Sequence, residues 1–119
     1  MKKIYIPVNK VAPALQMLEI SVADTFVTRL RGLLGTTSLP AHKGLLLRGC
    51  NSIHMLGMLY ALDIVYLDKQ GFIIKIIENL KPWQMSFCRA AHDTLEVKSG
   101  TGRRLGWKVG TQLMFVDNK

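Results

Sequence analysis

The chain has 119 residues, of which 49% are hydrophobic and 20% charged. That balance suits one globular domain and excludes both intrinsic disorder and a pair of full-sized domains. Lysine and arginine outnumber aspartate and glutamate 16 to 8, a net charge of +8, which favours anionic partners or simply keeps a small domain soluble.

At the start, Lys2 and Lys3 precede a short apolar run, Ile4 to Val8, which Pro7 interrupts and Asn9 and Lys10 end. A signal-peptide core needs about 7–15 apolar residues, so no cleaved signal is expected and the cytoplasm is the expected location. Ile4, Ile6 and Val8 alternate with other residues, the period of a strand, and Leu15 to Ile20 supply a second. Val22, Phe26, Leu30, Leu33 and Leu34 recur at helical spacing. They predict a helix over 22–34, with Ser21 or Asp24 to cap it and Gly35 to end it. Gly44 to Leu47 reads as a strand.

The longest uncharged stretch, Gly49 to Leu62, carries Asn51, Ser52 and His54 and stops at Asp63. It falls short of the roughly 18 apolar residues that a transmembrane segment needs. Leu62–Leu67 and Phe72–Ile77 flank Asp68-Lys-Gln-Gly71, a hairpin whose last loop residue suits a left-handed backbone. Pro82 suits the first turn of a second helix, running to about His92. Leu95 with Val97, then Leu113 to Val116, supply two late strands. The expected fold is one α+β domain over 1–119, mostly β: a small antiparallel β-barrel-like domain with one or two short helices.

Three segments carry a family resemblance. They are Arg29-Leu-Arg-Gly-Leu-Leu34, then Cys50-Asn-Ser-Ile-His-Met-Leu-Gly-Met58 with Leu62-Asp-Ile-Val-Tyr-Leu-Asp68, and finally Thr94-Leu-Glu-Val-Lys-Ser-Gly100 with Arg104-Leu-Gly106. Together they resemble the uncharacterised bacterial family known as domain of unknown function 192, over about residues 14–117. The resemblance implies a compact, mostly β, barrel-like domain and no particular activity. Relatives among pilus-assembly and secretion components imply a setting of that kind. The common central Trp-Met-Lys-Asn-Thr is replaced here, at His54 to Met58, and a branch with Cys-x-x-x-His is the better fit.

Several constellations are chemically suggestive. Asp63 stands in an apolar strand, where a carboxylate must be paired or multiply hydrogen-bonded. It is expected to be a structural polar tie, to backbone amides of a neighbouring loop or to Arg29. Cys50 and His54 share a four-residue spacing with Cys88 and His92. The four could form a zinc site, or a copper(I) site with Met55 and Met58, or serve as a thiol site. No cofactor is expected otherwise. Cys50, His54 and Asp63 could be read as the nucleophile, base and orienting acid of a hydrolase-like enzyme. On one strand, however, Cys50 and His54 would stand about 13 Å apart. Arg89, Arg103, Arg104 and Lys108, near Trp83 and Trp107, are candidate nucleic-acid contacts.

The expected function is a non-enzymatic binding or accessory module. A groove near His54, Met55, Met58 and Trp83 would hold a protein segment or a small ligand, because methionine-rich apolar stretches are adaptable.

Overall fold

The computed structural model describes residues 2–8, 17–25, 33 and 35–117. Strands β1 (Lys2–Pro7), β2 (Met17–Ala23), β3 (Lys43–Arg48), β5 (Leu62–Leu67), β6 (Ile73–Leu80) and β8 (Asp93–Lys98) form one sheet in the order β1-β2-β3-β8-β5-β6. β2 and β3 run parallel, and every other neighbouring pair is antiparallel. Two short strands, β4 (Ser52–His54) and β7 (Met85–Phe87), pair as a separate ribbon. A single helical turn, α1 (Thr101–Arg104), follows β8.

The sheet buries both faces, and the period of two sorts the side chains between them. Ile4, Ile6, Leu18, Ile20, Leu46, Val65, Leu67, Leu95 and Val97 share one core. Leu45, Leu47, Leu62, Ile64 and Tyr66 turn to the other, where they meet Leu39, Ile53, Met55 and Met58. All six residues of β5 are therefore buried, which explains its continuous apolar run. A parallel pair needs a long crossover. The β2–β3 connection places Leu39, and Leu33 packed against it, on the second face.

The expected barrel does not close. β1 and β6 remain the two edges of an open sheet. Between them runs the C-terminal segment, which makes isolated bridges rather than the strand expected over Leu113–Val116. Ile73 and Leu113 donate their N–H groups to Thr111 and Gly71 at 2.8 and 2.9 Å, tying the segment to the β6 edge. Tyr5 and Val116 then exchange reciprocal hydrogen bonds of 2.9 and 2.8 Å at the β1 edge.

The helix expected over 22–34 is also corrected at its start. Ser21 and Val22 belong to β2, where they pair with β1 on one side and β3 on the other. Residues 26–32 and 34, including Arg29, lie outside the described residues. The second expected helix is replaced by a turn and β7, because Trp83 has a φ of 71°, incompatible with a right-handed helix.

The 68–71 hairpin forms where expected. Gly71 has a φ of 86°, and a β-carbon there would lie 2.7 Å from the Leu113 carbonyl oxygen. Gly71→Ala is thus expected to cost about 2 kcal/mol or more, from backbone strain and overlap together. Urea unfolding measures this; an unchanged midpoint would mean that the hairpin and C-terminal segment give way freely.

Candidate functional site

Asp63 enters β5 among apolar neighbours and is 1% exposed. Its Oδ1 accepts the Asn79 N–H at 2.9 Å, and its Oδ2 accepts those of Gly100 and Gly102 at 3.0 and 3.1 Å. Both Asn79, at an irregularity in the β5–β6 register, and Gly100, in the turn before α1, have positive φ and aim their amides at one carboxylate. The end of β6 and the start of α1 are thereby bound to β5. The alternative partner, Arg29, lies outside the described residues.

The three amides occupy both Asp63 oxygens, and each other member of the supposed triad has its own place. The Cys50 thiol donates to the Ser52 carbonyl at 3.1 Å. His54 is exposed on β4, opposite Met85 of β7. His92 directs Nδ1 toward Asp93 Oδ2 at 3.2 Å. Cys50 and Cys88 are free thiols, both packed against the second core. Among the described residues, no three His, Cys, Asp or Glu side chains come together as a metal-holding group.

The expected groove divides. Met55 and Met58 are buried in the second core, where they underlie the ribbon, whereas His54 and Trp83 lie at the surface. The backbone that presents Trp83 is fixed: its N–H donates to the Met55 carbonyl, and the Met55 N–H donates to the Gln84 carbonyl, each at 2.8 Å. Beyond it, β7 turns Ser86 inward and Met85 and Phe87 outward. Trp83, Met85 and Phe87 are 69%, 67% and 68% exposed, and Leu56 and Leu59 on the loop after β4 are also exposed.

The basic residues do not form one surface patch by sequence neighbourhood alone. Arg103 is paired with Glu78 at 3.0 Å, and Arg104 donates to the Ala41 carbonyl at 3.1 Å. Trp107 is half-buried and packed against the first core. Arg89 and Lys108 are exposed.

Two polar groups on the second face carried no expectation. The Tyr66 hydroxyl is buried, and no described group meets it in hydrogen-bond geometry. Burial raises its pKa, while nearby Ser86 lowers it. Glu96 on β8 stands between Leu45 and Ile64 of the neighbouring strands. It is 7% exposed, and burial pushes its carboxyl up to about 7. Its apolar flanks, Leu95 and Val97, were the visible signal; that Glu96 was buried too could be inferred only once β8 was known to be central.

Elsewhere, a groove of about 310 Å³ opens where β3, β8 and the hairpin meet the C-terminal segment. Leu46, Leu67 and Leu113 floor it, and Arg48, Asp68, Lys69 and Asp93 are on its rim. Both aspartates are engaged, Asp68 by the Gln70 and Phe72 amides and Asp93 by Gly49 and His92.

A family model, DUF192, described as "Uncharacterized ACR", matches residues 8–115. The chain belongs to this family. No protein of curated function matches it. Two crystal structures share the family member's fold. A candidate transcription regulator from Sinorhizobium meliloti 1021 is 22% identical, with a TM-score of 0.80 over 96% of this chain and 92% of that one. A protein of unknown function from Novosphingobium aromaticivorans DSM 12444 is 18% identical, with a TM-score of 0.78 over 94% of this chain and 83% of that one. At such identities the likeness establishes the fold alone. No described helix is long and apolar enough to cross a membrane.

Proposed function

We propose that this protein is a non-enzymatic binding module whose β4–β7 ribbon holds a segment of a partner protein. The observation that carries this reading is the outward placement of Trp83, Met85 and Phe87, each about two-thirds exposed. Large exposed apolar patches rimmed by polar groups mark interaction sites, and aromatic residues are enriched among the anchors of interfaces. Left-handed backbone at a bulky residue such as Trp83 costs about 1–3 kcal/mol and persists where the surroundings hold it for use.

Small-ligand binding has a different place, the groove floored by Leu46, Leu67 and Leu113, whose size falls at the lower end of the range for ligand sites. The ribbon is favoured because its apolar groups stand free, whereas the groove's floor already belongs to the first core.

Panning a displayed peptide library against the protein tests the proposal. Enriched peptides should lose about tenfold or more in affinity for the Trp83→Ala/Phe87→Ala double variant. Both positions are exposed, so the variant should melt within a few degrees of the parent. Peptides that bind the double variant unchanged, or a library that enriches nothing, would overturn the ribbon as a docking element.

A further inference from the structure

We infer that the ribbon's partner is an extended apolar segment flanked by carboxylates; this rests on the ribbon being the docking element. Met85 and Phe87 face outward from β7, Lys81 and Trp83 lie on the turn that leads into it and Arg89 on the turn that leaves it, and all five are exposed. The pattern is three large apolar groups bracketed by two cations. A third cation sits at Phe87: the Lys75 ammonium donates to the Phe87 carbonyl at 3.0 Å and lies 5.9 Å from the Phe87 ring centroid.

The surrounding sequence contains no opposing charge. No aspartate or glutamate occurs between Asp24 and Asp63, or between Glu78 and Asp93. Both strands of the ribbon and the turns that flank them are therefore free of acidic residues. A chain of net charge +8 adds a long-range field of the same sign. A carboxylate approaching the ribbon meets attraction from Lys81 and Arg89 on the turns that flank β7, and an approaching lysine meets repulsion there, so charge selects the partner while apolar burial holds it.

Single-stranded nucleic acid is the other polyanion with an affinity for aromatic groups. The ribbon suits it less well. Base stacking calls for successive flat rings along a cationic track, and here Met85 separates the aromatics while the aliphatic Leu56 and Leu59 are also exposed. Arg103 is already paired with Glu78.

Four fluorescein-labelled probes decide the matter: a Phe/Leu-cored peptide with two glutamates at each end, the same core with lysines, a serine core with glutamates, and oligothymidylate. At about 0.05 M salt, where screening is weak, the glutamate-flanked apolar peptide should bind about tenfold more tightly than the lysine-flanked one. Lys81→Glu/Arg89→Glu should reverse that order while the apolar core still binds. Equal affinity for both flanks would overturn the charge inference and leave the docking element standing. Binding of neither apolar peptide would overturn both. Tighter binding of oligothymidylate than of any peptide would replace the peptide with nucleic acid.

Discussion

Glu96→Gln is expected to stabilise the protein above neutral pH and to change it little below pH 4.5. The carboxyl is buried on the central strand β8 beside Leu45 and Ile64, and burial raises it from its ordinary 4.5 to about 7. The sign follows from proton uptake. Between those two values the folded protein keeps a proton that the unfolded chain has released, so stability falls as pH rises. The neutral carboxyl is harmless below 4.5; the loss accumulates between 4.5 and about 7 and is complete above that. A shift of this size corresponds to roughly 3 kcal/mol. Glutamine keeps the shape and removes the titration, so the variant's stability at pH 8 should exceed the parent's by up to about that amount. Urea unfolding of both proteins at pH 4.5 and pH 8 measures the difference, which isolates this carboxyl from the histidines. Parallel pH profiles would show that Glu96 keeps access to water or to a cation.

Asp63→Ala should have an effect of similar size and opposite direction. The substitution strands the amides of Asn79, Gly100 and Gly102, which all point to one carboxylate. Hydrogen bonds to a charged acceptor are stronger than neutral ones, and buried donors left without partners add their desolvation cost. A loss of about 3 kcal/mol or more is expected, which for a chain of this length lowers Tm by on the order of 10 °C. A change of less than about 0.5 kcal/mol would mean that water takes over all three amides. The two carboxylates thus teach opposite lessons from the same sheet. Asp63 ends in a cage of backbone donors, two of them from positive-φ residues, and Glu96 ends between Leu45 and Ile64 with no donor among the described residues to meet it.

Much of the sheet was legible in the sequence because its strands obey a period of two. The 68–71 hairpin was fixed by Gly71, and β5 by its unbroken apolar run. The barrel was not legible, because closure depends on whether β1 meets β6, a contact between distant segments to which local pattern is blind. The helix expected from Pro82 shows a different failure. Trp83, Met85, Phe87 and Arg89 alternate with smaller or polar residues, a strand signal that competes with the preference of proline for helix starts and wins. Read as a strand, the same stretch would have placed Met85 and Phe87 outward with Trp83. The candidate groove went astray because a methionine-rich loop looks alike whether it lines a cleft or fills a core; burial of Met55 and Met58 became visible only with the sheet beneath them. Asp63 stands out in the sequence as an oddity, since a charge in a buried strand is rare whatever it bonds. Its actual partners are backbone amides, which no residue pattern announces.

The bridge between Tyr5 and Val116 has a consequence for how the chain matures. The outer edge of β1 is covered only once Tyr5 and Val116, from opposite ends of the fold, have met. An unpaired edge is an invitation to other nascent chains, and pairing across almost the whole sequence is slow to form. The β1 edge is therefore among the last to be covered as the domain folds, and a chaperone that shields it until the Tyr5–Val116 bridge forms would act at the point of greatest need.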